Sequence, residues 1–544
     1  MRGFAFVLRV VPVLLLATGL GGCLFGPDYV RPNVATPANY RFEAGETAAV
    51  ANTPWWEQFQ DPVLNDLILA ALTDNKDVKI AAARVDQFLG QFVTTRSALF
   101  PQISAGFDAS RQRVSQSGPT PLPTGFGPVY NSFSAPLSVA WELDLFGRVR
   151  RETESARASL LASEEGRRAT ILSLVASVAT AYINLRDLDQ QLAIAKATTD
   201  SRAGSVSVFQ ARFSGGDVSQ MELAQSQSEY EASLATIPQL ETQIAQQEDA
   251  LSVLLGRNPG PILRGRELTE LVLPAVPAGL PSDLLERRPD LLQAEQNLVA
   301  ANALIGAARA LYFPQISLTG LLGSTSGQFS KLFTGPARIW SYAGSLTVPI
   351  FTAGSISGQV SQAEAQQQQA LFQYEEAIQT AFQEVDDALI ALQKSREQLI
   401  VQARQVDALR TYARLARLRF EGGYTSYIEV LDAERSLFNA QLSYTQTNGL
   451  VFASLIGLYK AMGGGWVVQA EAMTGRVMGQ KAVAQAAGQA GDQSGTQLAN
   501  PAADSSASPS VSPPANPPAN PPESPAASPS ATPTTTSPSA KQPK

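Results

Sequence analysis

Arg419-Phe420-Glu421-Gly422-Gly423-Tyr424-Thr425-Ser426 has an earlier copy in the same chain, Arg212-Phe213-Ser214-Gly215-Gly216-Asp217-Val218-Ser219, 207 positions upstream. Each copy joins a long segment of polar and apolar period to a second one. A Gly-Gly pair in that place predicts a tight reversal between helices, because glycine enters positive φ without steric cost. Thr425, Ser426 and Ser219 are placed to cap the returning helices through their hydroxyls. Each copy is therefore expected to be the tip of a helical hairpin.

The repeat extends outward from the tips. Leu99-Phe100-Pro101-Gln102-Ile103-Ser104 is matched by Tyr312-Phe313-Pro314-Gln315-Ile316-Ser317, and Leu137-Ser138-Val139 by Leu346-Thr347-Val348. Both halves run helix, two alternating stretches, long helix, Gly-Gly turn, helix. This is a tandem duplication, with a first copy over 71–270 and a second over 271–466. The segment 23–70 is a Pro-rich extended lead with a first helix, and 467–544 is an Ala/Pro/Ser-rich tail whose composition reads as disorder.

Composition removes most other classes. The chain of 544 residues carries 41 Lys and Arg against 48 Asp and Glu, a net charge of −7, so nucleic acid is not an expected partner. It has no histidine, which excludes Ser-His-Asp and Cys-His catalysis and HExxH zinc sites. There is no Walker A loop and no GxSxG elbow, so neither an enzyme nor a bound cofactor or metal is expected.

The first 22 residues read as a secretory signal peptide: Arg2 and Arg9, the apolar run Val10 to Leu20, then Leu20-Gly21-Gly22-Cys23. That ending has the form of a lipobox, and Cys23 is the only cysteine. The alternative, a membrane-anchoring helix with a chance cysteine, suffers from a run too short to span. The lipobox predicts cleavage and a covalent N-acyl and S-diacylglycerol lipid on Cys23. Leu24, not aspartate, follows it, which resembles the outer-membrane sorting pattern of bacterial lipoproteins.

From Phe133 to Leu145 every second residue is apolar, while the opposite face holds Ser134, Pro136, Ser138, Ala140, Glu142 and Asp144. Period two means a strand with one apolar face. Ile103 to Ala109, Trp340 to Ile350 and, more weakly, Ile316 to Leu322 alternate likewise, predicting β-hairpins within 102–146 and 315–351. Two hairpins on a soluble core would share this pattern. A signal peptide, no other apolar run near ~20 residues and aromatics at strand ends instead favour membrane strands. Four strands cannot close a barrel, and open edges in lipid cost several kcal/mol per unpaired group. Chains must therefore pool strands, and three would supply twelve.

The long helices carry a seven-residue stripe. Leu371, Ile378, Val385, Leu392, Leu399, Val406, Ala413 and Phe420 are answered by Ile171, Val178, Leu185 and Leu192 in the first half. A sustained heptad predicts supercoiling against neighbours. A helix from Gly147 to Phe213 would be ~100 Å long at the α-helical rise, more than a compact domain needs.

Taken together, these stretches resemble the outer-membrane factors of tripartite efflux pumps, in the lipoprotein branch that works with RND transporters. The matching residues are Pro27-Asp28-Tyr29 with Arg31-Pro32, Trp55-Trp56, Trp141-Glu142-Leu143-Asp144-Leu145-Phe146-Gly147, Leu285-Glu286-Arg287-Arg288-Pro289-Asp290, Leu431 to Phe438, and Tyr459-Lys460-Ala461-Met462-Gly463-Gly464-Gly465-Trp466. The resemblance implies a mixed α+β membrane protein: a homotrimer with a twelve-stranded outer-membrane β-barrel, four strands per chain, continued by a periplasmic α-helical coiled-coil barrel. It implies passive export of small molecules such as drugs, with an inner-membrane RND transporter and a periplasmic adaptor as partners. The adaptor would dock at the Gly215-Gly216 and Gly422-Gly423 tips. The periplasmic aperture maps onto Ile428, Asp432 and Arg435, and Gln225 stands in the first repeat where the second has Asp432, so one acidic ring is expected. A type I protein-secretion exit duct shares this fold, and a lipid-anchored coiled-coil scaffold without a pore shares the helices.

The lipobox yields the first test. Cys23→Ser should abolish incorporation of labelled palmitate, and labelling that persists in the variant would remove the lipid assignment.

Overall fold

The computed structural model describes residues 24–42, 54–115, 127–276, 281–463 and 465–470. The expected signal peptide over 1–22, the expected lipid site at Cys23 and the tail from 471 onward lie outside the described residues.

A short 3-10 helix, Trp55–Phe59, precedes α1 (Pro62–Asp74) and α2 (Lys76–Ser97). Then come β1 (Gln102–Ala105), β2 (Asp108–Arg113), β3 (Val129–Leu143), α3 (Arg148–Gly215) and α4 (Gln220–Leu254). The second half runs α5 (Leu284–Arg287), α6 (Pro289–Ala310), β4 (Gln315–Ser326), β5 (Arg338–Thr347), α7 (Ser355–Glu421) and α8 (Tyr427–Ala461). The duplication is plain in the lengths: α2 and α6 have 22 residues each, α3 and α7 have 68 and 67, and α4 and α8 have 35 each.

Two expected boundaries move. α1 runs through position 70, and the break comes at Asn75, whose side chain accepts from the backbone N–H of Asp77 and Val78 and donates to the carbonyl of Leu254 at 2.9 Å. There Gly256 (φ +72°) lies so close that a Cβ would stand 2.1 Å from the Asp74 carbonyl oxygen. At the other end the folded body continues past 466, since Trp466, Val467 and Ala470 are buried.

The strands form one antiparallel sheet in which β1 and β2 pair β3, β3 pairs β4, and β4 pairs β5. β1 and β2 are a single strand interrupted at Gly106 and Phe107. Residue numbers of partners sum alike on both sides (Ala105 with Leu137, Asp108 with Ser134), so nothing is inserted. The gap lies opposite Pro136, which accepts from Gly106 N–H at 2.9 Å but has no N–H to return. β3 begins four residues earlier than alternation predicts and stops at Leu143, because Asp144 turns its carboxylate onto the N–H groups of Val149 and Arg150 and caps α3. β5 stops at Thr347, two residues before Pro349, not at Ile350.

The register decides what each face carries. Ile103 lies opposite Val139 and Val139 opposite Gly320; Leu137 pairs Leu322 and Leu322 pairs Trp340; Leu143 pairs Ile316 and Ile316 pairs Leu346. All of these share one face with Phe133, Trp141, Leu318 and Tyr342. The other face holds Ser104, Ser138, Ser317, Thr319 and Ser341, with Leu321 as an apolar exception. The apolar face is uncovered: Ile103, Leu322, Leu346, Trp340 and Tyr342 are between 61% and 82% exposed.

The helices all leave one end of this sheet. α3 packs against α2, α4, α6 and α8, and α7 packs against α6 and α8. At the helical rise α3 and α7 are each ~100 Å long. The heptad stripe is the buried one: Ile171, Val178, Leu185, Ile378, Val385, Leu392 and Val406 are at most 4% exposed. α3 also contains an 18-residue window of mean hydropathy 1.3, contrary to the expectation of no further long apolar run; 61% of that window is buried in the protein. It is core, joined by Trp55, Phe59, Phe452, Tyr459 and Trp466. Trp55 stacks on Tyr459 at 5.1 Å and Trp56 meets Trp466 edge-on at 4.9 Å, which ties the 3-10 helix to the end of α8 and the segment that follows it. Arg288 closes the same region, donating to the Ala461 carbonyl and pairing with Asp290 and Glu384.

The two faces of β3 make a contrast that can be measured. Val139→Lys, on the uncovered apolar face, should cost ~2–4 kcal/mol if that face meets bilayer near its midplane, whereas Ser138→Lys should be tolerated. Denaturant titration of the folded protein in lipid vesicles reads both; equal tolerance would mean the face does not meet lipid.

Candidate functional site at the helical tips

The first tip closes as its glycines predict. Gly216 has φ +83°, and its N–H and that of Asp217 return to the carbonyls of Phe213 and Arg212 at 3.0 and 2.9 Å. Ser219 then caps α4 in a reciprocal box with Glu222.

The second tip repeats the backbone but not the cap. Gly423 has φ +74°, and Tyr424 N–H returns to Arg419 at 2.8 Å. Gly422 keeps an ordinary φ; a Cβ there would stand 2.9 Å from the Tyr424 ring. The expected hydroxyl cap from Ser426 is absent: its side chain makes no cap bond. Glu429 takes the polar contacts instead, accepting from the Thr425 hydroxyl and from Arg419 at 3.1 Å. The Thr425 hydroxyl is thus engaged by a carboxylate one turn into the helix.

A small core joins the two hairpins. Phe209, Leu223, Ala416, Tyr427, Val430 and Ala433 are buried together, with the Phe209 ring 4.0 Å from that of Tyr427 and Phe420 against both. Burial pushes the Tyr427 phenol above its ordinary pKa, and Glu434 adds to this against the charge of Arg417. Arg202, 6% exposed, donates to the Glu229 carbonyl at 2.7 Å and lies over the Phe438 ring. Arg417 reaches from α7 to Glu434 on α8. None of these cross-helix pairs was singled out from sequence, where the partners lie up to 236 positions apart (Arg202 and Phe438).

The core fixes the rotation of α8. Tyr427, Val430 and Ala433 turn inward, so Ile428, Asp432 and Arg435, spaced by four and three, share the outward face. Ile428 is 59% exposed, and the Asp432 and Arg435 side chains are 53% and 58% exposed. Arg435 pairs with Asp432 on its own helix at 3.0 Å, not with a neighbouring helix of the chain. A pair so exposed adds little stability. The structure thus brings together the three residues expected to line the aperture, and it sets them at the same end of the helices as Gly215, Gly216, Gly422 and Gly423.

At the opposite end of α3 the lead is held tightly. Leu24 packs on Gly147 (φ +82°), where a Cβ would stand 2.9 Å from the leucine methyl. Phe25 stacks on Phe313 at 4.0 Å, and Phe313 on Phe146 at 5.0 Å. Arg151 pairs with Asp28 and Arg31 with Glu295, both at 2.8 Å.

With this arrangement in hand, comparison with known proteins is informative. The model of the family described as outer membrane efflux protein matches residues 67–257 and 280–464. The toluene efflux pump outer membrane protein TtgC of Pseudomonas putida is 39% identical over 458 residues, covering 83% of this chain and 94% of the relative. The cation efflux system protein CusC of Escherichia coli is 35% identical over 457 residues, covering 83% and 97%. The crystal structure of the open state of the Neisseria gonorrhoeae MtrE outer membrane channel superposes with a TM-score of 0.74 at 32% identity, covering 82% of this chain and 99% of that one. These relatives are transport proteins of efflux systems, which sets the secretion-duct alternative aside. The chain belongs to the outer membrane efflux protein family and is an outer-membrane channel component of an efflux pump.

Proposed function

We propose that three copies of this chain close a twelve-stranded barrel in the outer membrane, continue as a helical tube into the periplasm, and export small molecules passively. The observation that carries this reading is the sheet. It has an uncovered apolar face and two free edges, β1/β2 on one side and β5 on the other. In lipid each unpaired edge group costs several kcal/mol, and pairing β5 of one copy with β1/β2 of the next removes both edges at once. The family's pumps supply energy from an inner-membrane transporter through a periplasmic adaptor; here an RND transporter is the proposed partner, with the adaptor docking at the Gly215-Gly216 and Gly422-Gly423 tips. The relatives' names mention toluene and cations, and small apolar compounds or metal ions are accordingly the cargo classes to test first.

A lipid on Cys23 fits the packing of its neighbours. Leu24 and Phe25 lie where β3 passes into α3, at the helix end of the sheet, so a modified residue just before them would meet the inner surface of the bilayer.

The aperture is assigned to Ile428, Asp432 and Arg435. Three-fold repetition of the outward face of α8 would ring a narrow entrance with Asp432, where like charges focus a negative potential and recruit cations. Arg435 tempers that ring through its own-helix pair, and Ile428 narrows the throat. In planar bilayers the wild-type trimer should conduct; absence of channels would favour a scaffold. Arg435→Ala alone should sharpen cation preference by leaving Asp432 unpaired. Asp432→Ala with Arg435→Ala should raise conductance and weaken that preference, and unchanged currents in both variants would move the aperture elsewhere.

A further inference from the structure

Along two strands the apolar face changes character in the same order, away from the helices. On β5 it runs Leu346, Gly344, Tyr342, Trp340, Arg338. On the edge formed by β1 and β2 it runs Ile103, Ala105, Phe107, Ala109, Arg111, Arg113. Each passes from aliphatic to aromatic to cationic. Trp340 and Tyr342 are stacked at 5.8 Å, and Phe329, from the β4 to β5 connection, lies against Phe107 and Phe133 at 6.2 and 5.6 Å. Arg111, Arg113 and Arg338 are exposed.

Among the described residues of the sheet, no carboxylate on this face balances these charges. Among the described residues of 102–141 and 315–347 the only carboxylate is Asp108, which belongs to the opposite face and accepts from the Ser134 hydroxyl. The connector over 116–126 contains no charged residue in its sequence. Aromatic residues mark the level where hydrocarbon gives way to head groups, so the arginines just beyond them stand at head-group height in the leaflet away from the helices. Guanidinium groups match phosphate oxygens in a planar, two-pronged geometry that ammonium groups do not reproduce.

We infer that the outer end of this face is a docking surface for phosphate-bearing lipid head groups of the outer leaflet, gripped by Arg111, Arg113 and Arg338 above the Phe107, Phe329 and Trp340 rings. The inference rests on the membrane reading of the sheet. Because the arginines belong to the two opposite edges of the sheet, closure of a ring of copies would bring the edges of neighbours together and make the lipid a rim around the barrel.

The test uses the full-length trimer in mixed micelles, titrated with labelled lipid A carrying its phosphates and with the same lipid dephosphorylated. Wild type should prefer the phosphorylated form by about tenfold or more, and R111Q/R113Q/R338Q should lose binding of that form by on the order of 10- to 100-fold. The corresponding triple lysine variant should recover only part of it, as charge without the two-pronged geometry, and trimer mobility and conductance should stay as in wild type. R113Q alone, at a strand end, gives a graded loss should the triple variant not assemble. A wild type blind to the phosphates, a glutamine triple that keeps the preference, or millimolar inorganic phosphate displacing the lipid would each overturn the proposal. Failure of the membrane reading is seen separately, as wild-type protein that forms neither trimers nor channels.

Discussion

Backbone hydrogen bonding at the two edges of a four-stranded sheet is the constraint on which the rest of this protein turns. A soluble protein shields a strand edge with water, a charge or a covering helix. This sheet has none of these over its apolar face, and no water is available in hydrocarbon. In the barrel proposed above, the edge groups find backbone from another copy of the chain. Copies joined in that way would carry their helices side by side, while the heptad stripe holds together the helices within each copy.

The duplication supports this division of labour. Each half contributes one hairpin of strands and one hairpin of helices, and β3 pairing with β4 welds the halves within the sheet. The helical hairpins are welded separately, by the Phe209, Phe420 and Tyr427 rings at the tips and by the aromatic and Arg288 contacts where α8 ends. The two repeats are alike in backbone but not in side chains. A capping box holds the first tip, whereas the second relies on Glu429, Arg419 and Thr425.

Periodic features were readable from the residues alone. Alternation located the strands and assigned their faces correctly at Val139 and Ser138, since register in a one-sided sheet preserves the side each residue takes. The heptads located the long helices, and the Gly-Gly pairs located the reversals. What escaped was aperiodic. The strand break at Gly106 depends on Pro136, 30 positions away, and shows only once partners are known. The second tip has no hydroxyl cap, and its Thr425 donates to Glu429 instead, a side-chain contact that hydroxyl propensity does not weigh. Ile428, Asp432 and Arg435 were singled out through the family resemblance, but their rotation outward follows from a core, including Phe209, that no local pattern reveals. The pairs binding α7 to α8 and Arg202 to Phe438 likewise have no signature in sequence.

The lead has a consequence for the order in which the molecule can be built. Gly26 touches Gly306 so closely that a Cβ on Gly26 would stand 2.3 Å from the Gly306 Cα. Arg151 grips Asp28 and the Phe25 carbonyl, Glu295 takes Tyr29 and Arg31, and Asn302 donates to Pro27. All of these partners lie more than a hundred residues downstream, in two helices from different repeats. The lead has no seat until α3 and α6 have met, so the earliest of these residues to be synthesised is among the last to be fixed. It works as a latch that can close only on a finished body, and a chain whose halves are misassembled is left with its front end loose.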